Sequence, residues 1–427
     1  MCLKIKNKKT NIDELCMIGI LGCCGLTGLL PQKVLSIIVI IIVGYMSTRK
    51  RLFQAYPVMI FYYAQLGIIF GVSVYRIYTM FFILMTIIKF KDKLFLSKRF
   101  LAPVSIFIIY NVLTMSKYSF KIAFFSMLDV IAIILLINFY LNNAENLKSF
   151  FRTYVIVALL SFVTGIITNN TNTTDWSFSG QFVQISRFQA TFEDANYMGF
   201  FFSIAIVAIL TLELFGKKLR TLILIVLTGM IITTLSMTAI IANIFIWSMY
   251  LILTKKINIK TVITCFLVFI LCISLYKYGL AHREIPVIGD LSYRIEDKVN
   301  ALLVHDYATV TTDRTKLSSL HLEYFLNQGI LKQLLGGNLA NTYVIKLGNI
   351  VAAAHNDYID LLLNIGVIGS SIMFLSVLRR LWVSIKEYKR NNSKEFLFVF
   401  TCKCVWLYYL ATLTTFLDFR FMFALFI

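Results

Sequence analysis

Apolar segments follow one another along almost the whole chain, and this pattern constrains the fold more than any other feature of the sequence. A helix needs about 20 mainly apolar residues to cross the hydrocarbon core of a bilayer. The chain is 59% hydrophobic and 15% charged, whereas soluble domains are roughly 45–50% apolar and about 25% charged. The sequence therefore predicts an all-α polytopic membrane protein that forms a single membrane domain over residues 1–427.

The apolar segments predict about 11–13 transmembrane helices, because some of the candidates are short. The candidate spans are 14–30, 34–47, 53–75, 77–89, 101–116, 121–141, 151–168, 196–215, 219–236, 238–253, 261–280, 356–378 and 396–417.

Basic residues concentrate in alternate connections between these segments, for example at 49–51, 89–99 and 217–220. Cytoplasmic loops carry an excess of Lys and Arg, so the N-terminus is predicted to be cytoplasmic in a multi-pass protein of the cytoplasmic membrane. This bias accounts for the net charge of +20. A nucleic-acid surface would instead gather its basic residues on one soluble face, and no nucleic-acid partner is expected.

Two connections on the opposite, extracytoplasmic side are unusually long, and we expect them to form the active surface. The first outer loop covers residues 169–195, and the large outer loop covers residues 281–355. A loop as long as the large outer loop is usually functional or disordered. Its segment 312–326 spaces apolar residues as an amphipathic helix does, which favours a functional, partly helical loop.

Three ionisable residues in these loops are candidates for chemistry. Arg187 is the only basic residue of the first outer loop; it suits either lipid headgroups or a bound anion, which arginine grips bidentately. Arg314 begins the predicted amphipathic helix, either as a solvated residue or as a second anion ligand. His355 precedes the span at 356–378, where the positive end of a helix and nearby arginines would lower its pKa. A neutral histidine at this position can accept a proton from a substrate. The alternative is that His355 only caps the helix at the membrane interface.

Polar residues beside these candidates suit helix capping, namely Asp194 and Asn196 before one span and Asn356 and Asp357 before another. The chain has eight cysteines but no Cys-x-x-Cys pair, and it has no His-Glu-x-x-His or phosphate-loop motif. We therefore expect no metal site and no cofactor.

Three segments, in order, resemble the bacterial superfamily of O-antigen ligases and oligosaccharide repeat unit (Wzy-type) polymerases. They are RFQATFEDANYMG (187–199), TDRTKLSSLHLEYFLNQGILKQLLGGN (312–338) and AHNDYIDLLLNIGVIG (354–369). The chain departs from the family in the stretch TTLSMTAIIAN (233–243), which lacks the Ser-Arg pair common there.

The resemblance implies a GT-C-like fold and a membrane glycosyltransferase with a metal-independent, inverting mechanism. The donor would be an undecaprenyl-diphosphate-linked oligosaccharide, and the product a capsule, an exopolysaccharide or an O-antigen. A flippase and a chain-length regulator would be partners, together with the lipid bilayer. By position, the catalytic residues would be His355, Arg314 and Arg187, and the substrate would also contact Asn196, Tyr197, Asn356 and Tyr358.

Two other functions stay open from the sequence. A ligase would transfer a finished glycan to a different acceptor, and the three segments do not separate it from a polymerase. A flippase or transporter of lipid-linked glycans would place ionisable residues within the membrane. Asp129 and Glu213 are acids that the sequence places within predicted spans, away from their first turns.

Overall fold

The computed structural model describes residues 12–47, 52–69, 72–91, 105, 120–178, 181–255, 258–311, 314–336, 345–347, 350–352, 354–413 and 420. Most of these residues lie in helices, as the sequence predicts. The predicted span at 101–116 lies outside the described residues, apart from residue 105, and so do Asp313 and Gly337.

The described chain divides into two compact units. The first consists of Met1–Phe95, Phe139–Asn170 and Ala190–Glu193; the second consists of Leu96–Asn138, Thr171–Gln189 and Asp194–Ile427.

The first unit contains seven helices and one short hairpin among its described residues. They are α1 (Ile12–Gly25), α2 (Gln32–Ser47), a 3-10 turn (Leu52–Ala55), α3 (Tyr56–Phe61), α4 (Tyr63–Leu66), β1 (Ile68–Ile69), β2 (Val72–Ser73), α5 (Val74–Phe90) and, later in the chain, α7 (Ala144–Ile167). Helix α6 (Phe120–Leu135) belongs to the second unit and runs into a π-helical turn at Leu136–Leu141.

The second unit carries the remaining elements. They are β3 (Thr171–Phe178), β4 (Gln181–Phe188), α8 (Ala195–Leu212), α9 (Lys217–Thr233), α10 (Met237–Leu253), α11 (Ile259–Ala281), α12 (Ile288–Leu303), α13 (Tyr307–Thr311), α14 (Arg314–Leu326), α15 (Ile330–Leu335), β5 (Ile345–Leu347), β6 (Ile350–Ala352), α16 (Asp357–Asn391) and α17 (Lys394–Leu410).

Four described helices are long and apolar enough to cross a membrane: Ala144–Ile167, Ala195–Leu212, Val262–Ala281 and Asp357–Asn391. Shorter apolar helices also occur, including Gln32–Met46 and Met237–Leu253. These helices support a membrane protein. The total of 11–13 spans stays a prediction, as does the single membrane domain.

Aromatic packing joins α3 to α7 within the first unit. The ring of Phe61 meets the ring of Tyr154 edge-on, with centroids 4.9 Å apart, and the hydroxyl of Tyr62 lies 2.9 Å from that of Thr164. The side chain of Asn170 donates to the carbonyl of Ala190 over 2.7 Å. This last bond closes the base of the first outer loop, because Asn170 precedes β3 and Ala190 follows β4.

Helix α8 forms the core of the second unit, since nearly all of its residues are buried. Helices α9, α10 and α17 pack around it. The hydroxyls of Ser203 and Tyr409 meet at 3.3 Å between α8 and α17. A Cβ placed on Gly199 would lie 2.4 Å from the Cβ of Ala239, so a glycine is needed where α8 and α10 approach.

The outer loops contain more regular structure than the sequence indicates. In the first loop β3 and β4 form an antiparallel hairpin that pairs Asn172 with Arg187. The large loop contains a helix at Arg314–Leu326, within the segment 312–326 that was predicted to be helical, but it also contains α12, α13, α15 and the hairpin of β5 and β6. The placement of Glu213 within a span is wrong, because Glu213 follows the end of α8 and forms an ion pair with Lys394.

Helix α16 is kinked at Gly366, whose φ of 65° is readily adopted only by glycine. The kink lies against the end of α15. A Cβ on Gly366 would lie 2.3 Å from the carbonyl oxygen of Leu334, and a Cβ on Gly336 would lie 2.2 Å from that of Asn364. Two glycines therefore allow the backbones of α15 and α16 to touch.

We expect Gly366→Ala to destabilise the protein by about 2 kcal/mol or more, because alanine is strained at positive φ and its Cβ overlaps a carbonyl. Gly229→Ala in α9 is the control, since a Cβ there meets no atom within 4 Å. Thermal unfolding in detergent should show a lower midpoint for the first variant only. Equal midpoints would contradict the close contact between α15 and α16.

Candidate active site

A cavity of about 400 Å³ in the second unit is lined by four basic side chains. They are Arg187, Arg294, Lys298 and Arg314. None of the described residues that line it is an Asp or a Glu. The cavity is therefore suited to an anionic ligand.

Arg187 reaches the cavity from the end of β4, and backbone and side-chain acceptors fix its guanidinium. Its Nε donates to the carbonyl of Thr234 over 3.2 Å, and its Nη2 donates to Oδ1 of Asn196 over 3.2 Å. The same oxygen accepts from the hydroxyl of Ser236 at 2.6 Å. The sequence expected Asn196 to cap a helix; instead it lies inside α8 and orients Arg187.

The predicted capping role of Asp194 is confirmed. Its carboxylate accepts the backbone N–H of Asn196 over 2.6 Å at the start of α8. The charge of Asp194 also acts on both Arg187 and Arg314, where it favours the protonated guanidinium. Carboxylates outside the cavity lining thus offset part of the positive charge inside it: Asp194 acts on Arg187 and Arg314, and Asp290 and Asp297 act on Arg294.

Arg314 is the first residue of α14, and its side chain enters the cavity. The sequence likewise placed Arg314 at the start of the helix predicted over 312–326. Its Nη1 donates to the carbonyl of Thr412, just after α17, over 2.6 Å. Thr311 accepts the backbone N–H of Thr315 over 3.2 Å, which supports the start of α14. Arginines from the two outer loops, far apart in sequence, therefore line one cavity.

Sequence reasoning did not single out Arg294 and Lys298, which lie one helical turn apart on α12. Arg294 is buried and donates to the carbonyl of Leu235. Lys298 donates to the carbonyl of Thr309. The buried residues of α12 include Arg294, Asp297 and Ala301, which recur at helical spacing. Arg294 and Lys298 therefore lie on the inner face of this helix. A helical reading of residues 288–303 would have revealed two basic residues on that face.

The first turn of α10 adds backbone dipoles to the cavity. Met237 and Thr238 line it, and the hydroxyl of Ser236 caps the helix by accepting from the N–H of Ala239 over 3.2 Å. The start of a helix carries partial positive charge and directs its first N–H groups outward. The dipole of α10 therefore acts in the same sense as the four basic side chains.

Burial makes the positive charge in this cavity costly. It lowers the pKa of Arg187 and that of Arg314, and Asp194 partly opposes both changes. Burial, followed by repulsion from Arg187 and Arg314, lowers the pKa of Arg294 to about 9. All three arginines remain protonated at neutral pH, so a bound anion would relieve the repulsion among them.

His355 lies where the sequence predicts, immediately before the long helix α16. Asn356 caps that helix by accepting the N–H of Tyr358 over 3.0 Å. His355 itself has a φ of 49°, an uncommon value for a residue with a side chain. It is held next to α14, because the hydroxyl of Ser318 donates to the carbonyl of Ala354 over 3.2 Å.

The environment keeps His355 neutral near pH 7. Burial is the main cause that lowers its pKa, and the positive charge of Arg314 lowers it further, while Asp194 acts in the opposite direction. The predicted direction is confirmed, but burial and not the helix terminus is the largest cause. The side chain keeps exposed surface, so a substrate can reach it.

The structure gives the two predicted tyrosines contacts outside the cavity. The guanidinium of Arg420 lies over the ring of Tyr197, 5.4 Å from its centroid. Tyr358 stacks on Phe374 at 5.2 Å and donates to the carbonyl of Leu407 over 2.9 Å. Asn356 does line the cavity, and so does Tyr408, which the sequence did not indicate. A role for Tyr197 and Tyr358 in substrate binding stays a prediction.

We expect Arg314→Ala to raise the pKa of His355 towards its ordinary value of about 6.5, because the variant removes a repelling positive charge. In the wild type, protonation of His355 should occur below that value. The measurement is the rate at which diethylpyrocarbonate modifies His355, followed by mass spectrometry against pH, since only the neutral ring reacts. The control is Arg283→Ala, which removes an exposed arginine paired with Glu296 at 2.8 Å. A midpoint unchanged in Arg314→Ala would show that the two groups do not interact.

No protein family model, no curated protein and no solved structure matches this chain. The family resemblance therefore rests on the three sequence segments alone, and the function that it implies is taken up below as a proposal.

Proposed function

We propose that the protein joins polyprenyl-diphosphate-linked oligosaccharide repeat units into a surface polysaccharide, such as a capsule, an exopolysaccharide or an O-antigen. The observation that carries the proposal is the cavity that Arg187 and Arg314 share, with His355 beside it, where Ser318 of the cavity lining donates to the carbonyl of Ala354 over 3.2 Å. These are the three residues that match the catalytic positions of the polymerase and ligase superfamily. They come from three separate segments of the sequence.

The cavity suits the leaving group of this reaction. A glycosyl diphosphate is already activated, so the enzyme must orient two glycans and stabilise the negative charge of the departing lipid diphosphate. Arg187 and Arg314 offer guanidinium groups that are partly removed from water and fixed by carbonyl acceptors. Fixed cations of this kind can neutralise a diphosphate as a metal ion does in other enzymes, which makes a metal-independent reaction physically reasonable.

His355 suits the role of general base. A hydroxyl of the acceptor sugar attacks C1 of the donor sugar, a new C1–O bond forms and the C1–O bond to the diphosphate breaks with inversion. The hydroxyl proton passes to the neutral imidazole of His355 and then to solvent. The lipid diphosphate leaves with the bonding electron pair, and Arg187 and Arg314 compensate its charge. A lowered pKa keeps His355 able to accept the proton at neutral pH.

The remaining features of the proposal concern the membrane. We place the chain in the cytoplasmic membrane with about 11–13 spans in a GT-C-like fold, the N-terminus in the cytoplasm and the cavity on the extracytoplasmic side. The distribution of Lys and Arg between alternate loops supports this orientation. A flippase that delivers lipid-linked repeats and a chain-length regulator are the expected partners.

A ligase that transfers a finished glycan to another acceptor would use the same cavity and the same leaving group. The two activities differ in the acceptor, about which the described residues give no separate observation. A flippase would also recognise a lipid-linked glycan, but it would not need a general base beside its anion site. The neutral state of His355 next to Arg314 therefore favours transfer over transport.

Purified protein in lipid nanodiscs, given lipid-linked repeat units, should produce a ladder of longer lipid-linked glycans. The ladder should persist with EDTA. We expect Arg187→Ala, Arg314→Ala and His355→Ala each to slow its formation by about 100-fold or more, since each removes charge stabilisation or proton transfer at the reacting centre.

Arg283→Ala is the matched control, because Arg283 belongs to the same large loop but forms an exposed ion pair with Glu296. It should retain the wild-type rate. Full activity in the three site variants would refute the assignment of the site. Transfer to a different acceptor without a ladder would indicate a ligase, and movement of lipid-linked glycan across the bilayer without any new bond would indicate a flippase.

A further inference from the structure

The short helix α15 of the large outer loop is apolar, yet it is not buried. Four of its six residues are Ile or Leu, and none of the six is buried. Ile330 and Leu331 are 68% and 69% exposed, and Leu334 and Leu335 are 38% and 48% exposed. Contiguous exposed apolar surface marks a place where a protein meets another protein or a membrane. Water is therefore an unfavourable neighbour for this helix.

The contact between α15 and α16 indicates how deep α15 lies. A Cβ on Gly366 of α16 would be 2.3 Å from the carbonyl oxygen of Leu334, so the end of α15 touches the kink. No charged residue follows the kink as far as Leu378, and Arg379 and Arg380 come next. The kink lies 12 residues before Leu378, which is about 18 Å along a helix.

This length places the kink inside the bilayer. Helix α16 is long and apolar enough to cross a membrane, and the hydrocarbon core of a bilayer is about 30 Å thick. With Leu378 at one boundary of the core, Gly366 lies about 12 Å below the opposite boundary. The end of α15, which touches Gly366, therefore lies at the depth of lipid acyl chains.

The surface of α16 next to this contact is apolar and exposed as well. Val367 and Ile368 directly follow the kink, and Ile372 and Leu375 lie further along the helix; all four are exposed. In a helix that crosses a membrane, such side chains face lipid. Because this face begins at the residue after Gly366, lipid that covers it would also reach α15.

The sequence around α15 suits an apolar environment. Residues 324–356 contain no Asp or Glu, and Lys332 is the one charged residue of α15. The stem of a lysine can lie along lipid while its ammonium group reaches the headgroups. The side chain of Gln333 donates to the carbonyls of Leu326 over 2.7 Å and Gln328 over 2.9 Å. These bonds satisfy backbone groups of the turn before α15, as lipid surroundings require.

We propose that α15 is a re-entrant segment that lies in the outer leaflet of the bilayer, with lipid acyl chains as its partner. The segment anchors the large outer loop in the membrane. Arg314 is the first residue of α14, the helix before α15, so this cation of the cavity lies about one helix length of 20 Å from the anchor. The inference requires α16 to cross the membrane, and it does not depend on the proposed glycosyl transfer.

The test places the photoreactive residue p-benzoylphenylalanine at position 331 of the full-length protein. The protein is irradiated in nanodiscs of phosphatidylethanolamine and phosphatidylglycerol, and its adducts are identified by mass spectrometry. We expect a phospholipid adduct. The matched control carries the same residue in place of Glu284, whose side chain is 75% exposed in the same loop. It should form about 5-fold less lipid adduct, because a glutamate avoids the hydrocarbon core.

A second measurement uses the thermal unfolding midpoint in nanodiscs. Leu331→Asp should lower the midpoint by about 5 °C or more, since a charge in the leaflet is costly. Leu331→Ala, which shortens the side chain without adding charge, should lower it less. If water surrounded α15, both variants would keep the wild-type midpoint, because exposed positions tolerate such changes.

Three results would overturn the proposal. They are the absence of a lipid adduct at position 331, a wild-type midpoint in Leu331→Asp, and a cross-link from position 331 to a second copy of the chain. The last result would show that protein and not lipid covers α15.

Discussion

Three arginine side chains converge on one partly dehydrated cavity, and the rest of the site depends on how their mutual repulsion is contained. Each guanidinium donates to a backbone carbonyl at a helix end or turn: Thr234 for Arg187, Leu235 for Arg294 and Thr412 for Arg314. Carbonyls at such positions lack helical partners and carry partial negative charge, so they fix cations without neutralising them. The net positive charge remains available to an anion.

The surrounding helices supply rigidity at these anchor points. Helix α8 is buried among α9, α10 and α17, so the turn that follows α9 and the end of α17 hold their carbonyls in fixed positions. The outer loops bring the cations to this frame, Arg187 on the hairpin and Arg294 and Arg314 on helices α12 and α14. A site of this kind is preorganised for charge that develops on a leaving group.

The sequence predicted the helical, apolar nature of the chain, a helix within 312–326 and the position of His355 before a long helix, because each depends on local patterns. It did not predict the hairpin, which depends on the pairing of two strands, or the role of Arg294. The stretch 233–243 lacks the Ser-Arg pair of the superfamily that the chain resembles, which suggested a missing cation. Arg294 supplies one from α12 beside Leu235, and only tertiary packing brings these segments together.

A structure of the protein with bound undecaprenyl diphosphate, determined by electron cryo-microscopy in nanodiscs, tests the central claim most directly. The account predicts density for the diphosphate in the cavity, with guanidinium contacts from Arg187 and Arg314 and with His355 next to the phosphate end that would carry the sugar. Density for the diphosphate at another site, with this cavity left to solvent, would contradict it.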